Sequence, residues 1–138
     1  MINIKKFIYI FILFAISGIA ISSNHTKPSI ELLGIEDGKK YTSPIKLDFV
    51  VKNMKVNKAG VKEKNSGHHH LLINLEKLPD LTKPLPMNEY IIHYGKGQTS
   101  ATIELKKGKN TIQLLFADYS HTPHKIPLIT KKFTIFID

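Results

Sequence analysis

The sequence contains no cysteine, no tryptophan and no arginine. Without cysteine the chain forms no disulfide, and it offers no thiolate to a zinc site, a blue-copper centre or a covalent catalytic step. Its basic side chains are all lysines, and the formal net charge is +9. Arginine is the usual residue for bidentate recognition of phosphates and base edges, so the composition argues against nucleic acid as a partner. The scattered lysines indicate a solvated surface.

Residues 1–22 have the organisation of a secretory signal peptide. Lys5 and Lys6 precede an apolar run over 7–21 that is short for a membrane-spanning helix, and small residues follow it. We therefore expect this segment to be removed and the mature protein to be periplasmic or secreted, with no stable membrane insertion after cleavage. An uncleaved membrane anchor is the alternative.

The rest of the chain, residues 24–138, has the length of a single domain. Apolar and polar side chains alternate over 45–52, 112–116 and 133–137, which is the pattern of half-buried strands. Because no disulfide can form, the stability of this domain must come from packing or from a bound metal.

Further strands are predicted at 30–35, 69–75 and 99–105, separated by turn residues, and no segment after the leader shows a convincing helical period. Six or seven short strands in one domain predict an all-β fold, specifically an antiparallel immunoglobulin-like β-sandwich of about seven strands. A small barrel is the alternative.

The chain is rich in histidine, and imidazole is the side chain best suited to bind a transition metal when sulfur is absent. Six of the seven histidines fall in three groups, namely His68, His69 and His70, then His93, then His121 and His124. In an extended segment His68 and His70 point to one face and His69 to the other. At most two rings of the triplet can therefore reach one ion.

The other ligands must come from elsewhere in the chain. His121 and His124 follow a strand predicted to end near Asp118, and their loop spacing can present both rings to one point. His93 precedes a glycine-containing turn and can supply a further ring. Three imidazoles with a carboxylate or water suit zinc or copper(II). The sequence thus predicts a copper or zinc site formed by His68, His70, His93, His121, His124 and Asp118.

The same histidines have a purely structural interpretation. A hydrogen-bond network of His70, His93, Asp118 and His121 could stiffen one end of the sandwich. The protein would then be a non-catalytic structural or binding module of the cell envelope, with a protein partner that the sequence does not identify. Ser120 and His121 lie beside Asp118 in sequence, but a catalytic triad needs convergence in space, and no complete catalytic motif is present. We therefore expect no enzymatic activity.

Three segments carry a family resemblance: GHHHLLIN at 67–74, HYGKGQT at 93–99 and LKKGKNTIQLLFADYSHTPHKIPL at 105–128. They resemble the signature of domain of unknown function 4399, an uncharacterised family of secreted bacterial domains. The resemblance implies secretion but no particular activity. Asn74 stands where the family pattern usually has aspartate, and Asn110 where a histidine is common, so we leave both out of the predicted ligand set.

Overall fold

The computed structural model of the protein describes residues 26–138, and the predicted signal peptide, residues 1–22, lies outside them. The described residues form ten β-strands and no helix, which confirms the all-β prediction. The strands are β1 (Ser29–Leu33), β2 (Lys40–Tyr41), β3 (Ile45–Lys52), β4 (Lys55–Val56), β5 (Ser66–Ile73), β6 (Ile91–Tyr94), β7 (Ser100–Ile103), β8 (Gly108–Ala117), β9 (Pro123–Ile129) and β10 (Phe133–Ile137). Within residues 26–138 no helix is long and apolar enough to cross a membrane.

The strands are arranged in two sheets. The smaller sheet has the order β1-β3-β7 with antiparallel neighbours. The larger sheet is built on the antiparallel pair β5 and β8. Strands β10 and β9 pair with successive parts of β8, while β6 and β4 pair with β5, and β2 joins β10 in parallel. Over the described residues these sheets are open, so the barrel alternative is excluded.

An apolar core fills the space between the two sheets. Phe49 of β3 and Leu114 of β8 are buried in it, as the alternation of apolar and polar residues predicts, and Leu71 of β5 is buried with them. Each of these strands sends every second side chain into this layer. The fold therefore obtains its main packing from residues that are not histidines.

A second, smaller apolar cluster lies on the outer face of the large sheet. Leu72 and Leu115 follow the core residues of β5 and β8 by one position, so they point away from the core between the sheets. Ile91 of β6 and Leu85 of the connection between β5 and β6 pack against them. Because this connection, residues 74–90, covers the outer face, β5 is buried on both sides.

Gly67 allows β5 and β8 to approach closely just before the histidine triplet. A Cβ at this position would collide with the carbonyl oxygen of Ala117 on β8. Only glycine fits such an approach of two backbones. The following residue, His68, pairs with Ala117 in the strand register, so the triplet enters the most closely packed part of the sheet.

Candidate metal centre

Strand β5 sorts the three consecutive histidines onto its two faces, as the sequence predicts. His68 and His70 lie on the outer face of the large sheet, and His69 points into the core between the sheets. All three side chains are fully buried. Such burial of polar rings is costly unless their nitrogens find partners.

His69 is a core residue. Its ring lies 5.4 Å from that of Phe49 and 5.1 Å from that of Phe116, measured between centroids. Its Nδ1 lies 3.1 Å from the carbonyl oxygen of Gln98, which can only accept, so Nδ1 donates the proton. Burial lowers the pKa of His69 to about 4, and the Gln98 carbonyl opposes this in part.

His93 stands opposite His70 on β6, and their ring centroids are 4.6 Å apart. The Nε2 of His93 lies 3.3 Å from the carbonyl oxygen of Pro86. Because that oxygen only accepts, Nε2 carries the proton and Nδ1 of the neutral ring keeps its lone pair. Metal-binding histidines are usually fixed in this way, with the other nitrogen donating to a carbonyl or carboxylate.

His121 enters the site from the loop between β8 and β9. Its backbone has the left-handed φ of 65°, which is uncommon for a residue with a side chain. The Oδ1 of Asp118 accepts hydrogen bonds from the N–H and hydroxyl of Ser120, both at 2.8 Å, and from the N–H of Thr122 at 3.0 Å. The loop is thereby closed around the aspartate, and the ring of His121 is turned toward β5.

The histidines of β5, β6 and the loop meet at one atom, Nδ1 of His121. It lies 2.9 Å from Nε2 of His68 and 3.2 Å from Nε2 of His70. Nδ1 of His93 is 3.1 Å away from it. The ligand nitrogens of His68, His70 and His121 all lie within 4.8 Å of one another, so these three could hold a metal ion.

These spacings are close to what one shared ion needs. With Zn–N bonds of 2.0–2.1 Å, tetrahedral geometry places neighbouring ligand nitrogens ~3.4 Å apart. Small movements of the rings would therefore let the nitrogens of His68, His70 and His121 share one ion. The site thus suits such an ion in the kind of donor atom it offers and in the distances between those atoms.

Burial favours the neutral form of His68, His70 and His93, which is the form that binds metal. Burial, followed by the neighbouring histidines, lowers the pKa of His68 to about 4 and that of His70 to about 2. Burial also lowers the pKa of His93, although its hydrogen bond to Pro86 opposes the shift. The site therefore offers imidazole lone pairs well below the usual titration range of histidine.

The short nitrogen contacts form a histidine network, but hydrogen bonds alone satisfy it poorly. A ring nitrogen has either one lone pair or one N–H, so Nδ1 of His121 can make one good hydrogen bond and not three. In addition, Nδ1 of His68 and Nδ1 of His70 are buried without a partner among the described residues. A cation accepts several lone pairs at once, so an ion bound by the converging nitrogens would relieve the crowding at Nδ1 of His121, while Nδ1 of His68 and of His70 would keep no partner within residues 26–138.

Comparison with known proteins assigns the chain to a family. The model of DUF4399, a domain of unknown function, matches residues 47–138. The chain belongs to the DUF4399 family. No curated protein and no solved structure matches it. All of the predicted ligands of this DUF4399 protein fall inside the matched segment.

Two of the predicted ligands lie apart from the nitrogens that converge. His124 belongs to β9, and its ring stacks on Phe116 at 5.8 Å between centroids with 19° between the planes. Since β9 begins at Pro123, His121 and His124 are not the loop pair that their spacing indicates. The Oδ1 of Asp118 is occupied by the donors of its own loop.

Sequence patterns do not reveal the backbone groups that hold the rings of the site in place. Besides the Pro86 carbonyl, the N–H of Leu85 donates to the carbonyl oxygen of His121 at 2.9 Å. Both groups belong to the connection that covers the outer face of the large sheet. Backbone donors and acceptors leave no trace in side-chain patterns, so the only available signal was the proline-rich composition of this segment.

Asn74 and Asn110, which are not among the predicted ligands, contact each other. The side-chain amide of Asn74 donates to Oδ1 of Asn110 at 2.9 Å, and Oδ1 of Asn74 accepts from the N–H of Thr111 at 2.8 Å. Asn74 also has a left-handed φ of 54°. This pair ties the end of β5 to the beginning of β8, whereas the histidines gather beside the end of β8.

Proposed function

We propose that this DUF4399 protein binds copper(II) or zinc through His68, His70 and His121, with His93 as a fourth ligand. The observation that carries the proposal is the convergence of three imidazole nitrogens on Nδ1 of His121 at 2.9 to 3.2 Å. The low pKa values of His68 and His70 support it, because they keep these ligands unprotonated.

The donor set favours these two metals. Imidazole suits zinc and copper, whereas magnesium and calcium prefer oxygen ligands. Four protein nitrogens would also fill a tetrahedral coordination sphere, as in structural zinc sites, and leave no position for a reacting water. We therefore propose that the protein holds or delivers the ion in metal handling, and that it is not an enzyme.

The proposed location of this activity is the periplasm or the extracellular space. The signal-peptide pattern of residues 1–22 supports it. Recovery of uncleaved protein, still beginning at Met1, from a membrane fraction of the native host would contradict it.

We also propose that the two sheets form an immunoglobulin-like sandwich. If β2, β4 and β9 are set aside, the first, second and fifth of the remaining seven strands form one sheet, and the third, fourth, sixth and seventh belong to the other. Constant-type immunoglobulin sandwiches separate the first, second and fifth strands from the third, sixth and seventh in the same way, but their fourth strand lies on the opposite sheet from the one it joins here. An experimental structure with a different division would overturn the assignment.

Titration calorimetry at pH 7.5 tests the metal site. We expect one equivalent of zinc or copper(II) to bind the wild type, and His121→Ala to abolish binding because it removes the nitrogen that the other rings share. His124→Asn is the matched control and should bind as the wild type does, since this ring stacks on Phe116 outside the cluster.

A wild type that binds neither ion more tightly than about 10 μM, an affinity worth ~7 kcal/mol, would overturn the proposal. The histidines would then serve the second candidate function, a structural network within a binding module. The contacts of His93 with Pro86 and of His121 with Leu85 favour that candidate, because they fasten the covering connection to the sheet.

A further inference from the structure

The carboxylate of Asp118 is the acidic group nearest in sequence to His121, and its chemistry would suit a metal ligand. The contacts of its Oδ1 instead lie within its own loop. This oxygen accepts from two donors of Ser120 and from the N–H of Thr122. The backbone closes the same loop, since the N–H of Asp118 donates to the Thr122 carbonyl at 2.9 Å and that of His121 to the Asp118 carbonyl at 3.0 Å.

We infer that Asp118 is a positioning residue, which holds His121 in the geometry that the metal site needs, and not a ligand. This inference rests on the proposed metal binding. In this arrangement the loop of residues 118–122 holds the ring of His121, which is the one proposed ligand that does not lie on a strand.

The backbone of His121 shows why such a residue is needed. A left-handed φ of 65° is disfavoured for a side chain with a Cβ, so the surrounding hydrogen bonds must maintain it. Asparagine and aspartate commonly close turns of this kind by accepting backbone N–H groups two residues ahead. Without the Asp118 acceptor, the loop would relax toward ordinary backbone angles and the His121 ring would turn with it.

A displacement of this ring affects the whole site. Nδ1 of His121 is the common atom of the three short nitrogen contacts, whereas His68, His70 and His93 are held by the sheet. Two further backbone hydrogen bonds reach the loop from outside it, from the N–H of Leu85 to the His121 carbonyl and from the N–H of Gly60 to the Tyr119 carbonyl.

Two substitutions at one position separate positioning from ligation. Asp118→Asn keeps an oxygen acceptor at the same place and closes the same turn, but it removes the anionic oxygen that a metal ligand would supply. Asp118→Ala removes the acceptor altogether. Asp80→Ala is the matched control, because Oδ1 of the exposed Asp80 accepts the N–H and hydroxyl of Thr82 in a similar turn, and these hydrogen bonds involve no histidine.

The experiment measures zinc affinity by competition calorimetry and the nitrogen hyperfine pattern of bound copper(II) by electron paramagnetic resonance. We expect D118N and D80A to match the wild type in both. We expect D118A to bind ~10–100-fold more weakly, the loss typical of removing a group that orients a ligand, and to show a copper spectrum with altered nitrogen coordination.

Equal losses in D118N and D118A would show that Asp118 is a ligand and would overturn the inference. Affinity and spectrum unchanged in D118A would overturn it as well. If D118A does not fold, Ser120→Ala removes one of the three donors, and its affinity should lie below that of the wild type; an unchanged affinity counts against the inference. A wild type that binds no metal refutes the proposed function itself, and with it this inference.

Discussion

Leu114 probes the core between the sheets at the level of a single residue. Its side chain is fully buried on β8, where Leu114 pairs with Leu71 of β5, whereas Lys46 on β3 is exposed. Leu114→Ala should lower the free energy of unfolding by ~2–5 kcal/mol, and Lys46→Ala by less than about 0.5 kcal/mol. Chemical denaturation of the two variants measures both. Equal losses would show that the strand register is wrong.

The buried histidines give the metal-free protein a defined dependence on pH. The pKa values of His68 and His69 fall from 6.5 to about 4 on folding, chiefly through burial. Below pH 6.5 the unfolded chain therefore binds protons that the folded chain does not. The contribution of these histidines to the free energy of unfolding is complete above about pH 6.5. It should decrease as the pH falls toward about 4, by about 1.4 kcal/mol per pH unit for each such histidine.

Urea denaturation of metal-free protein between pH 7.5 and 4.5 measures this dependence. His69→Phe should flatten the curve partly, because it removes one buried titrating ring from the core and leaves the cluster in place. A free energy of unfolding that stays constant over this range would show that the triplet is not buried as described.

At the level of the element, the close pairing of β5 with β8 depends on Gly67. Gly67→Ala places a methyl group against the Ala117 carbonyl, so the two backbones must separate beside His68. We expect a loss on the order of 2 kcal/mol or more in the free energy of unfolding, together with weaker metal binding. Gly95→Ala is the control, because a Cβ there meets only the Ala59 side chain at 3.2 Å. Similar thermal denaturation of the two variants would contradict the prediction.

The elements that the sequence predicts best are those in which apolar and polar residues alternate strictly. β3 and β10 have one face in the core, so their side chains record the period of two directly. β6 has only four residues, and its burial does not alternate. Two glycines follow His93, so the sequence indicates a turn here and predicts no strand. β9 begins at Pro123. Because proline is uncommon within strands, the sequence predicts a loop at this position, and for that reason His124 is grouped with His121 in the predicted site.

At the level of the whole molecule, the histidine cluster is separate from the main core. It lies on the outer face of the large sheet, with the connection of residues 74–90 above it, while the apolar core lies between the sheets. The faces of His68 and His70 follow from the alternation along β5. Their meeting with His93 and His121 depends on strand register and loop closure across the chain, which no local pattern contains.

The parallel pairing of β2 with β10 joins the two ends of the domain. Lys40 pairs with Phe136 and Tyr41 with Ile137, and the N–H of Phe136 donates to the Lys39 carbonyl at 3.0 Å. During synthesis the ribosome therefore releases every histidine of the cluster before the strand that closes the sheet. Contacts between distant parts of a chain form slowly, so the nascent chain stays incompletely folded until β10 has emerged. Such a delay would suit the proposed secretion, in which the polypeptide passes unfolded through an export channel.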